Sequence, residues 1–81
     1  MTKFQLLNCL EKAGVLQVLT TEGVINPRIF IRYERYKAFL EYCQANPNEK
    51  RSHIIIDWSI EMSLSTQSIY DDIRLMEKQI L

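Results

Sequence analysis

Glycine is scarce in this sequence, with only Gly14 and Gly23, and the two stand too far apart to build a glycine-rich phosphate loop. Histidine occurs once, as His53, and cysteine twice, as Cys9 and Cys43. Scattered singly, they form no metal-ligand spacing and no nucleophile–base pair with an orienting third group. No enzymatic activity, metal centre, cofactor or small-molecule ligand is therefore expected. A run of about 18 apolar residues, which a membrane-crossing helix needs, is also missing. The opening segment MTKFQLLNCLEK lacks the long apolar stretch and small-residue cleavage site of a secretory signal. The expectation is a cytoplasmic protein with two reduced thiols. Finally, neither sign of charge is in excess, because ten basic residues face ten acidic ones. A chain that holds nucleic acid by bulk electrostatics is strongly basic. Nucleic-acid binding here requires local charge placement and a specific motif.

What is present is an ordinary globular composition, 47% hydrophobic and 25% charged over 81 residues. That length gives one domain, residues 1–81, around one core. Thr2 and Gln5 have capping-box spacing. The helix they open puts Leu6, Leu7 and Leu10 on one face and stops at Gly14. The next run, VLQVLTTEG, is ambiguous between helix and strand. One or two helical turns are the better reading, since no strand of matching pattern exists to pair with it. Asn26 and Pro27 then form a strong helix start, an N-cap followed by a proline whose missing N–H is no loss there. From Pro27 to about Gln44 or Ala45, Ile29, Tyr33, Tyr36, Leu40 and Cys43 recur at helical steps. Phe30 and Phe39 widen this stripe, and Arg28, Arg32 and Arg35 line a neighbouring face. Asn46-Pro47-Asn48 breaks the helix.

Two further helical patterns follow. One runs from about Lys50 to Met62, with Ile54, Ile55, Trp58 and Met62 facing inward. The other starts after Ser65 and continues through IYDDIRLMEKQI, with Ile69, Ile73 and Met76 or Ile80 at helical steps. The fold class expected is all-α: a tri-helical core plus an N-terminal helix.

Two helices joined by about three residues form a helix-turn-helix, here at about 50–80. Ser59 is small where the helices cross. Ser63 stands where the turn needs a positive φ and glycine is the usual choice. Leu64 plugs the gap between the helices, and Ser65 can cap the second one.

The segment WSIEMSLSTQSIYDDIRLME resembles the helix-turn-helix of small bacterial transcription regulators with the pattern aeefgvSxxTvyrdixxLe. Ser63 takes the glycine place, Leu64 the valine place and Ser65 the cap serine. Ile69-Tyr70 and Asp72-Ile73 match the paired steps of the second helix. More loosely, the whole chain is similar to short helical proteins of Bacteroidetes genomes and mobile elements. Those share a start like Gly14-Val15-Leu16 and Gly23-Val24-Ile25-Asn26-Pro27, a tyrosine-rich middle helix and a C-terminal helix-turn-helix. The chain departs from the regulators in having Ser63 for glycine. It also leaves no room for a β-hairpin wing, since only eight residues follow Ile73.

This resemblance implies a DNA-binding protein, a transcription regulator or mobile-element accessory factor, that reads double-stranded DNA with the helix after Ser65. The N-terminal turns of such a helix enter the major groove. Thr66, Gln67, Ser68, Tyr70 and Arg74 are then the candidates for base edges. Arg28, Arg32, Arg35, Lys50 and Arg51 are the candidates for phosphates. Charge is uneven along the chain. Between residues 27 and 52 the bases outnumber the acids by three, and from residue 53 onward the acids outnumber the bases by three. The adjacent Asp71 and Asp72 are thus expected to repel phosphate. A solvated helix face is the plain alternative for the arginine row, and core or subunit packing for the tyrosines. The apolar N-terminal third exceeds what a three-helix motif needs, so a homodimer through that third and the long helix is expected. The alternative function is a helical protein-interaction module or adaptor that keeps the fold without binding DNA.

Overall fold

In the computed structural model, which describes residues 1–81, five helices follow one another: α1 Lys3–Lys12, α2 Leu16–Thr21, α3 Pro27–Ala45, α4 Arg51–Met62 and α5 Thr66–Met76. The starts obey local chemistry. Thr2 Oγ1 accepts the Gln5 N–H at 3.1 Å while Gln5 Oε1 accepts the Thr2 N–H at 2.8 Å, a complete capping box. Asn26 Oδ1 accepts the Arg28 N–H at 2.8 Å, and Ser65 Oγ accepts the Ser68 N–H at 3.1 Å. Lys50 begins α4 with no side-chain cap. Gly14 and Gly23, at φ +79° and +80°, end α1 and the turn after α2 in the left-handed region that glycine enters freely.

The all-α expectation is met, with α2 a short helix. One core joins all five helices: Leu7 of α1, Leu16 of α2, Tyr33, Tyr36 and Phe39 of α3, Ile54, Ile55 and Trp58 of α4, and Ile69 and Met76 of α5. Its centre is aromatic. Phe4 meets Tyr36 edge-on with centroids 5.0 Å apart, and Phe39 meets Trp58 edge-on at 6.3 Å. Leu40, Leu64 and Ile73 are half-buried against this cluster.

Three expectations need correction. Met62 is 43% exposed, because the chain reverses at the next residue and Leu64 fills the space instead. Leu6 points outward, and Phe4, Leu7 and Leu10 form the inner face of α1. Helix α5 stops at Met76 rather than continuing toward Ile80. The following residues turn back to pair with the start of the chain: the Lys3 N–H donates to Lys78 O at 3.0 Å and the Ile80 N–H to Met1 O at 2.9 Å.

Two buried tyrosines anchor the outer pieces to α3 in the same manner. Tyr33 donates its hydroxyl to Glu11 Oε1 at 2.9 Å, and Lys37 donates to the same oxygen at 2.8 Å. Tyr36 donates to Glu77 Oε2 at 2.7 Å, and Arg51 donates to that oxygen at 2.6 Å. Burial, then the neighbouring carboxylate, pushes both phenols above their ordinary range, so each remains a donor.

Candidate nucleic-acid interface

The turn between α4 and α5 is built from serine. Ser63 adopts φ +55°, ψ +37°, the left-handed conformation expected of its position. Around it the Leu64 N–H donates to Ser59 O at 3.0 Å and the Ser63 N–H to Ile60 O at 3.3 Å. This double closure is a Schellman motif, which satisfies the carbonyls left free at a helix end. The Ser59 hydroxyl in turn donates to Leu64 O. Ser59 thus binds both backbone groups of Leu64 and fixes the path into α5.

Helix α5 buries Ile69, Asp72 and Met76 and turns Thr66, Gln67, Tyr70 and Arg74 to solvent. Of the five residues expected at base edges, only Ser68 is half-buried, and its hydroxyl lies 2.9 Å from that of Ser65. Within the exposed face, Gln67 donates to Asp71 Oδ1 at 3.0 Å and Arg74 donates to the same atom at 3.3 Å. Asp71 therefore presents a carboxylate already shared by two donors.

Asp72 is not the surface acid expected from the sequence. It is 4% exposed, and its Oδ1 accepts from Arg32 Nε and from Arg35 Nη2, both at 2.8 Å. The cause is register. Asp72 lies three residues after Ile69 and four before Met76, so it shares their inward stripe. A buried carboxylate requires a cation, and the arginine row of α3 supplies two. Arg32 and Arg35 remain about 30% and 31% exposed at their side chains.

The five candidate phosphate contacts divide accordingly. Arg32 and Arg35 stand beside α5. Arg28, one turn earlier on α3, is exposed and forms no ion pair. Lys50 is exposed at the start of α4. Arg51 is engaged with Glu77 at 2.6 Å. Burial pushes the Glu77 carboxyl up, but the bonds from Arg51 and Tyr36 outweigh it and hold it below its ordinary value.

Between α3 and α5 lies a shallow open groove in two parts that share Arg32 and Asp71. One, of about 340 Å³, is lined by Arg32, Asp71, Arg74, Leu75 and Lys78. The other, of about 220 Å³, is lined by Arg32, Arg35, Ser68, Asp71 and Asp72. Lys78 is not among the candidates the sequence offers, because the helical pattern runs on past it, whereas α5 ends at Met76. The inward register of Asp72 was a signal already present in the spacing of Ile69 and Met76.

No helix is long and apolar enough to cross a membrane. No family of known proteins matches the chain, and no curated protein or solved structure matches it either.

Proposed function

We propose that the chain is a small DNA-binding protein of the helix-turn-helix kind, a non-catalytic regulator or accessory factor that lays α5 in the major groove. The observation that carries this reading is the exposed face of α5, with Gln67 and Arg74 seven residues apart and Arg74 lining one groove with Arg32 of α3. Seven residues are about two helical turns, so both side chains share one face. Gln67 suits an adenine edge, and Arg74 suits guanine or phosphate. The acids of α5 are already engaged, since Asp72 is buried against two arginines and Asp71 accepts from Gln67 and Arg74, while Asp57 and Glu61 stand on α4.

The test is a salt titration of binding to random duplex DNA, followed by site selection. Affinity is expected to fall steeply as salt rises. On a selected site Gln67→Ala is expected to cost about 1–3 kcal/mol and to relax base preference. Binding that is absent at low salt refutes the reading. A homodimer on paired half-sites belongs to the same proposal. Leu6, Val15, Val18, Val24 and Ile31, exposed between the start of α1 and the first turns of α3, are the apolar residues available to it. Sedimentation that shows a monomer at high micromolar concentration removes the dimer.

One observation favours a protein partner instead. Ile56 and Ile60 are 52% and 75% exposed, one turn apart on the outer side of α4, beside Asp57 and Glu61. That reading takes over if no duplex binds.

A further inference from the structure

Arg32, Arg35, Arg74 and Lys78 converge on the α3–α5 groove from two helices and the turn that follows α5. Asp71 and Asp72 are the acids among them, so the groove keeps a surplus of two positive charges. The bonding leaves donors free as well. Arg32 gives only its Nε to Asp72, and Arg35 only its Nη2. The Nη groups of Arg32 make no hydrogen bond within the chain, and the Nε of Arg35 is buried without a partner. Both guanidinium groups are held by one fixed oxygen, which removes part of the side-chain entropy that a ligand would otherwise have to overcome.

We infer that this groove is a cradle for the phosphodiester backbone of duplex DNA, and that the backbone crosses the domain here rather than at the start of α4. The inference rests on the DNA-binding reading and assigns its phosphate contacts. Arg32 offers its free Nη groups and Arg35 its Nη1, preset planar donors that match phosphate oxygens, while the buried Arg35 Nε lies out of a ligand's reach. Arg74, paired with Asp71, and Lys78 close the outer side. Asp72 does not touch the backbone; it is a positioning residue that holds the two arginines. Arg51, bonded to the Glu77 oxygen that also accepts from Tyr36, takes no part, and Lys50 lies outside both parts of the groove.

The experiment measures the salt dependence of wild type, Arg74→Ala, Lys78→Ala and Lys50→Ala on one random duplex, with helicity checked by circular dichroism. Each lost phosphate contact lowers the slope of log affinity against log salt by about one. The expected result is a lower slope for Arg74→Ala and for Lys78→Ala, with Lys50→Ala unchanged. Arg74 is 75% exposed at its side chain, so its loss leaves the fold intact. Asp72→Asn supplies a second arm: it removes a negative charge, so general electrostatics alone would tighten binding. Loss of arginine positioning is expected instead to weaken binding by several fold at constant helicity. Unchanged slopes for Arg74→Ala and Lys78→Ala in a protein that still binds duplex overturn the groove alone. A wild type that binds no duplex overturns the DNA reading and the groove together.

Discussion

Replacing Asp72 by alanine tests the central polar contact of the fold. The carboxylate is buried and receives two charge-assisted hydrogen bonds, both 2.8 Å long, on one oxygen. Two limits bracket the cost. Exposed ion pairs contribute about 0–1 kcal/mol, and stripping one partner from a fully buried pair costs about 3–5 kcal/mol. Here the acid is buried while the arginines are about 30% exposed at their side chains. Once freed, they turn toward water and recover hydration, so no cation is trapped. The expected loss for Asp72→Ala therefore lies between the limits, at about 2–3 kcal/mol. For a domain of this size that is a melting temperature lower by roughly 10–20 °C. Trp58, the one tryptophan, is buried in the core and reports unfolding by fluorescence in urea. The midpoint is expected to fall with no change in denaturant slope. A double-mutant cycle with Arg32→Ala and Arg35→Ala then measures the coupling. A loss below about 0.5 kcal/mol, or additivity within about 0.3–0.5 kcal/mol, would refute the argument that these charges hold α5 to α3.

Three other outcomes are expected. Ser63→Gly relieves a left-handed residue at φ +55° and is expected to stabilise by about 0.5–1 kcal/mol, read as a higher urea midpoint. Ile69→Ala empties a fully packed site and is expected to cost about 2–5 kcal/mol; a loss under half a kcal/mol would contradict the α4–α5 packing. Glu11 is held below its ordinary 4.5 chiefly by the Lys37 bond, and Glu77 below 4.5 by Arg51 and Tyr36 against the effect of burial. Lowered carboxyl pKa values add stability that is complete above the unfolded value and is lost as pH falls through the folded one. Urea melts are thus expected to weaken below about pH 4.5, and Glu11→Gln with Glu77→Gln is expected to flatten that slope.

Local chemistry made much of the fold legible. Thr2, Asn26 and Ser65 announce helix starts by the oxygen they offer, and the structure uses all three. Ser63 and Leu64 could be placed because a tight turn allows few alternatives. The sequence carries α5 too far because Ile80 continues the stripe of Ile69, Ile73 and Met76 at helical steps. What stops it is pairing with residues 1–3, a contact at a sequence separation that no window senses. The candidate interface was legible as a set of exposed types on α5 but not in its electrostatics. A charge count by segment treats Asp72 as a surface acid, whereas burial places it under Arg32 and Arg35. The pairing of Arg51 is likewise hidden from the sequence, because Glu77, its partner, lies 26 residues away.

The backbone pairing between residues 1–3 and 78–80 makes the order of helices almost cyclic. Helix α1 packs on α5 as well as on α2, so every helix has neighbours on both sides of the sequence. The position of the chain break is then nearly arbitrary with respect to the core. A short peptide bridge from residue 81 to residue 1 would span a gap already closed by hydrogen bonds, and its loop entropy would be small. The exposed Pro47–Asn48 link, between α3 and α4, could serve as the new opening. In such a circular permutant α4, the turn and α5 would come first, and α3 would become the final helix. The arginine row and its aspartate would still meet, joined through the old ends rather than through the Asn46–Glu49 loop.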